Sequence, residues 1–203
     1  MSASPTTKSE LGIYLTNVRS TREVETLIDL LQEDEVWKNL EWDERPVFHP
    51  VYRTELLLGV WAARFIHAAE DDRIIGAVIL DTKHLKVNGT VELDIAITDK
   101  SVRKKSWSTR AMALVFDDYL LSGKAKVVWG WIDARNTSSV RMVESMGLPI
   151  AGIQKGVRTM VDGPVDSVEV VLPRADWERI RPQVAPHLGL PDWPHDGGRP
   201  IVK

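Results

Sequence analysis

Three short stretches of this chain carry side chains whose types and spacing suit chemistry. The first is Thr98-Asp-Lys-Ser-Val-Arg-Lys-Lys-Ser106, a basic loop that runs straight into an apolar-periodic helical segment from Trp107 to about Leu121. The first N–H groups of a helix have no partner within it, and the macrodipole adds partial positive charge there, so an anion is welcome. Arg103, Lys104 and Lys105 add full charges, and Ser106, Ser108 and Thr109 add hydroxyl donors. The combination suits phosphate; read alone, it also suits a solvated basic turn. The second stretch begins at Asn136, with Ser139 three residues on and therefore on the same helix face. Asn136 there is either a ligand contact or a plain N-cap. The third is Val91-Glu-Leu-Asp-Ile-Ala-Ile97, where Glu92 and Asp94 alternate with Leu93 and Ile95. Read from the alternation alone, Glu92 suits a salt-bridged strand carboxylate.

The surrounding elements must hold these stretches together. Gly12 to Arg19 reads as a first strand, and Ser20-Thr-Arg-Glu23 has the form of a capping box opening a helix through Leu31. Val24, Leu27, Ile28 and Leu31 line one face of that helix. Glu33 to Pro50 mixes acidic residues with Trp37, Trp42, Phe48 and His49. It either lines a pocket for a cationic or amine acceptor, with Trp37 and Trp42 as substrate contacts, or tucks its aromatics into the core. The spacing of Leu56, Leu57, Val60 and Trp61 predicts a helix from Tyr52 to about His67. Arg73 to Leu80 is an apolar strand, returned to the Val91 strand by a tight turn at Asn88-Gly89. Lys126 to Ile132 is the next strand, and the Asn136 helix stops at Gly147. A turn at Asp162-Gly163-Pro164, a last strand Ser167–Leu172 and a short helix Ala175–Ile180 follow. Hairpins joined to a parallel crossover imply a mixed α/β sheet with helices on both faces.

Length bounds the answer to one domain: 203 residues build a substantial core but are few for two. The expected division is a disordered 1–10, a folded domain over 11–181, and a proline-rich tail over 182–203 that holds no long regular structure. With no cysteine there is neither a disulfide framework nor a thiolate site, and no metal is expected. No membrane-spanning run or signal-peptide core is read, so a cytoplasmic location is expected. A net charge of −3 argues against a general nucleic-acid binder, although Lys100 to Lys105 beside Trp107 admits a weak reading as a basic patch.

The loop Arg103-Lys-Lys-Ser-Trp-Ser-Thr-Arg-Ala111 resembles the pyrophosphate loop of the GNAT acetyltransferases, and is most similar to the RimJ/RimL-like branch. Arg103 matches the leading basic residue, Trp107 the aromatic, and Thr109 and Ala111 the residues after it. Lys104, Ser106 and Ser108 stand where the family usually has glycine or alanine. Asn136-Thr-Ser-Ser139 followed by Glu144, Met146, Gly147 and Leu148 resembles the family's second motif, with leucine in place of phenylalanine. Val165-Asp166 and Leu172-Pro-Arg-Ala-Asp-Trp177 resemble its C-terminal sequence.

This resemblance implies an acyl-CoA N-acyltransferase fold with a mixed, largely antiparallel sheet. It implies acetyl-CoA as cofactor, a primary amine as acceptor (a protein N-terminus or a small molecule), and a possible homodimer. Asn136 is then expected on the pantetheine arm, Ser139 as the acid for the leaving thiolate, and backbone at Ile95, Ala96 and Ile97 against the thioester. Glu92 matches the family's glutamate on this strand, and is expected as base or water-orienting group. Val143 occupies the position where other branches carry a tyrosine acid, and Lys155 one where a glutamate is common. The competing reading, prompted by the serines in the loop and by Lys155, is a protein of this fold that uses another acyl donor or serves as a non-catalytic binding module.

Overall fold

The computed structural model describes residues 11–37, 40, 51–102, 106–160 and 163–191. The expectations for the N-terminal ten residues, Trp42, Phe48, His49, Arg103, Lys104, Lys105, Asp162 and the chain beyond 191 lie outside the described residues.

A seven-stranded sheet organises the fold. Its strands are β1 (Ile13–Asn17), β2 (Trp61–Ala68), β3 (Ile74–Asp81), β4 (Thr90–Ile97), β5 (Val127–Asp133), β6 (Ile150–Met160) and β7 (Gly163–Pro173). They lie in the order β1-β2-β3-β4-β5-β7-β6. Only β4 and β5 run parallel; the other neighbours are antiparallel. The expected mixed α/β sheet, largely antiparallel and flanked by helices, is the fold observed.

The longer helices are α1 (Thr21–Leu31), α5 (Trp107–Phe116), α6 (Thr137–Ser145) and α7 (Arg174–Leu188); α2 (Asp34–Trp37), α3 (Tyr52–Leu57) and α4 (Leu85–Asn88) are short. The Ser20–Glu23 capping box forms as expected, each side chain accepting from the other's backbone. Two hydrophobic clusters cover the two sheet faces. One joins α1 and α3 to Ala63, Phe65, Ala77 and Ile79. The other joins α5 and α7 to Ile66, Val78, Leu80, Val91 and Leu93.

Three expectations are corrected. The helix predicted from Tyr52 to His67 ends at Leu57, and Trp61 opens a strand instead. Gly59 at φ 70° breaks the helix, and β2 then buries both faces, so it shows no clean alternation for a sequence pattern to find. The tight turn at Asn88-Gly89 is the end of α4, with Gly89 as its left-handed cap. The tail from Pro182 continues as α7 to Leu188, with Pro182 and Pro186 inside the helix. Packing outweighs the lost backbone hydrogen bonds there, because Trp177, Ile180, Ala185 and Leu188 are all buried.

A buried charge cluster fixes α7 to α5. The helix α5 continues as a π turn through Asp117–Leu121. Asp117 accepts from Trp177 Nε1 at 2.9 Å and from Arg181 Nε and Nη2 at 2.8 and 3.0 Å. Arg181 also donates to the Pro191 carbonyl at 2.7 Å. Asp118, the next residue, pairs with Arg64 of β2 and with Lys124.

Candidate active site

The β4–β5 pair is short. Thr90, Val91 and Glu92 pair with Val127, Val128 and Trp129, and beyond Glu92 the two strands part. On its other edge β4 stays paired to β3 as far as Ile97. Backbone groups of β4 past that contact, toward Ile97, that would bond β5 in an intact sheet therefore face a gap. Gly130 lies at the apex: a Cβ there would come within 2.7 Å of the Leu93 carbonyl oxygen, so a side chain would push the strands apart at their last point of contact.

A cavity of about 730 Å³ occupies this gap. Ile95, Ala96 and Ile97 line it from β4, Ser106, Trp107, Ser108 and Thr109 from the start of α5, and Asn136 and Ser139 from the start of α6. Every expected cofactor-contact residue within the described chain thus meets at one place, from three elements far apart in sequence.

Local sequence sets each of these positions. Asp133, at the end of β5, is 8% exposed and forms hydrogen bonds with the Arg135 guanidinium and backbone N–H. Burial pushes the Asp133 carboxyl upward, but the bonds from Arg135 outweigh it and hold the group below the usual carboxylate range. The Asp133 carbonyl accepts from Asn136 N at 2.8 Å, which sets the entry to α6. Asn136 Oδ1 accepts from Ser139 N at 3.2 Å. The asparagine is therefore an N-cap and a cavity residue together, and its Nδ2 makes no hydrogen bond among the described residues. Ser108 Oγ donates to Met142 Sδ at 3.3 Å, tying the first turn of α5 to α6.

Ser106 caps α5 without a side-chain hydrogen bond and sits in the left-handed region at φ 57°. This is a position where glycine costs nothing and an L-residue costs about 1–2 kcal/mol. Ser106→Gly is accordingly expected to raise stability by about 1 kcal/mol, read as a rise in thermal midpoint of about 2–4 °C. An unchanged or lower midpoint would show that the entropy glycine adds to the unfolded chain offsets the relief of backbone strain.

The remaining expected residues are placed differently. Glu92 does not line the cavity; it stands where β4 and β5 are still paired. Trp37 is buried at 5% exposure and is not a lining residue, although Val36 and Leu40 beside it are. Among the described lining residues the only carboxylate is Asp94 and the only basic group is Arg141. Asp94 was visible in the sequence as the second acidic residue on the Glu92 face, and Arg141 follows Ser138 by one helical turn. Trp129 and Trp131, also on the wall, carried no sequence signal beyond an aromatic-rich strand. Close to Asp94 lies Tyr52, 3% exposed, whose hydroxyl is pushed well above its ordinary range first by burial and then by the Asp94 charge.

A sequence model of the acetyltransferase (GNAT) family matches residues 28–148 of this chain. No curated protein matches it. Among solved structures, spermidine N-acetyltransferase from Vibrio cholerae in complex with CoA and spermine superposes with a TM-score of 0.68 at 10% identity, covering 82% of this chain and 98% of the other. A putative acetyltransferase from T. thermophilus gives a TM-score of 0.66 at 17% identity, covering 87% and 94% respectively. At these identities the likeness is one of fold.

Proposed function

Because the chain belongs to the GNAT family of acetyltransferases, we propose that it is an N-acetyltransferase that moves the acetyl group of acetyl-CoA to a primary amine in a ternary complex. It is an acyltransferase of the RimJ/RimL-like kind in this reading, acting on a small-molecule amine or a protein N-terminus. The observation that carries the reading is the gap between β4 and β5, whose walls hold the start of α5, Asn136 and Ser139 in one cavity. Its volume of about 730 Å³ falls within the range of small-molecule and cofactor sites.

The residues present fit an acyl-CoA. The first turn of α5 presents backbone N–H groups with Ser108 and Thr109 to phosphate, and Arg141 adds a guanidinium from the facing helix. In this reading Asn136, on the cavity wall, donates its Nδ2–H to an amide carbonyl of the pantetheine arm. In this reading backbone at Ile95 to Ile97, beyond the last β4–β5 pair, polarises the thioester carbonyl. When bound, acetyl-CoA supplies that activated carbonyl.

The chain's own groups then handle protons. A protonated amine cannot attack, so a base must take one proton first. Asp94 fills that role in this reading, since it reaches the cavity and Glu92 does not. As the nitrogen–carbon bond forms and the carbon–sulfur bond breaks, Ser139 donates its hydroxyl proton to the departing sulfur. The second proton shed by the nitrogen replaces it.

Calorimetry with acetyl-CoA and CoA tests the cofactor, and an amine screen tests the transfer. Micromolar binding is expected, with Ser139→Ala slowing turnover about 10–100-fold while CoA affinity changes less than twofold. Absence of binding at millimolar CoA would favour the competing reading, in which the serines of the α5 loop have closed the site to this cofactor.

A further inference from the structure

The first turn of α5 departs from the charge rule for helix starts. Carboxylates are favoured there and cations disfavoured, because the macrodipole already places partial positive charge at that end. The turn Trp107-Ser108-Thr109-Arg110 holds no acidic residue and one arginine. Among the described residues Arg110 forms no ion pair, and its Nε is buried without a hydrogen-bond partner. Its one hydrogen bond runs from Nη1 to the carbonyl of Leu11, just before β1, at 2.5 Å.

The start of β1 is shaped to keep the guanidinium in this place. Gly12 sits in the left-handed region at φ 72°, and a Cβ on it would come within 3.0 Å of Trp107 Nε1 and 3.4 Å of Arg110 Nη1. A residue without a side chain lets that backbone lie against the first turn of α5. The Gly12 carbonyl in turn accepts from Ala69 N at 2.9 Å, which fastens it to the end of β2. Arg110 is thereby held off the cavity wall: Trp107, Ser108, Thr109, Met112 and Phe116 line the cavity and Arg110 does not.

A cation that opposes the helix dipole, with no counter-charge and one orphaned donor, works against the fold taken alone. Local conflicts of this kind concentrate at functional sites. The charge lies close to the anion-binding wall, since Arg110 stands only about 6 Å along the helix axis from Ser106. Protein interior between two charges screens them less than salt solution does.

We propose that Arg110 sets the positive potential of the α5 start from behind the wall, and that it raises affinity for the phosphates of CoA without touching them. The proposal rests on the acetyltransferase reading and adds to it a residue that governs cofactor affinity and lies outside the matched motif positions. Arg110 acts through the first turn of α5, so it is a positioning residue. Leu11 and Gly12 are the clamp that fixes where its charge sits.

Calorimetry with CoA on the full chain tests this, with substitutions that separate charge from contact. Arg110→Lys keeps a donor and the charge, whereas Arg110→Gln keeps a donor and removes the charge. The lysine variant is expected to bind CoA within twofold of wild type, and the glutamine variant at least fivefold more weakly. Steady-state kinetics should split the same way, with the KM for acetyl-CoA raised in Arg110→Gln and kcat within twofold. The fitted stoichiometry reports the folded fraction, so each affinity refers to folded protein. Should Arg110→Gln be too unstable to measure, Arg110→Met is held to the same fivefold threshold. Wild-type affinity in the neutral variant would overturn the proposal. So would equal weakening in the lysine and neutral variants, which would mean that the arginine's contact with Leu11 matters and its charge does not. Failure of the wild-type chain to bind CoA at millimolar concentration would instead overturn the acetyltransferase reading beneath it.

Discussion

Asp94→Asn is expected to lower kcat at least 100-fold, with the KM for acetyl-CoA changed less than threefold. General-base catalysis by a positioned side chain typically supplies about 10²–10⁴ in rate, and the amide is nearly isosteric but cannot take a proton. The comparison that gives the result meaning is Glu92→Gln. Both carboxylates lie on one strand face two residues apart, and only Asp94 lines the cavity. The Glu92 variant should therefore show the smaller loss by at least tenfold. A reversal of that order would return the base to Glu92 and mean that the gap opens earlier along β4 than the pairing indicates. Thermal midpoints of both variants separate a chemical effect from a folding one, because the Asp94 charge also acts on the buried Tyr52 hydroxyl. A midpoint drop in Asp94→Asn that matches its loss of activity would sink the assignment.

The contrast between these two carboxylates shows how far the sequence could be read. Motifs confined to one turn or one loop were legible: Ser20 with Glu23, Asn136 with Ser139, and Ser106 before Trp107 all depend on neighbours a few residues away. The choice between Glu92 and Asp94 depends on where β4 parts from β5, which is a register between strands joined by α5. Period-two alternation gives the face but not the point of parting. Trp129 and Trp131 were unreadable for the same reason, since an aromatic on a strand looks alike whether it packs a core or lines a gap. The missing strand β2 has another cause. Buried on both sides, with Arg64 turned toward Asp118 and Phe65 toward the α1 cluster, it gives neither periodicity clearly. The long α7 was hidden by two prolines, whose local penalty is overcome by contacts the sequence does not advertise.

Those contacts give the other large expected effect. Asp117→Ala should destabilise the fold by about 3–5 kcal/mol, the usual consequence of leaving one partner of a buried ion pair alone. Arg181 is 8% exposed and would keep its charge with only the Pro191 carbonyl as a described acceptor, and Trp177 Nε1 would lose its acceptor in a fully enclosed position. Urea denaturation measures the change. The double variant Asp117→Ala/Arg181→Met distinguishes the cause. If the cost is an orphaned charge, removing that charge should recover at least half of the loss, so that the two substitutions are strongly non-additive. If the cost is instead a cavity or the lost tryptophan hydrogen bond, the double variant will be no better than the single one. The same measurement bears on the active site. Asp117 follows directly on α5, whose first turn forms the anion-binding wall, and Phe116 packs edge to face on Trp177 with centroids 5.1 Å apart while also lining the cavity. A helix α7 released from Asp117 removes support from that wall, so CoA affinity in Asp117→Ala should fall together with stability and return with it in the double variant.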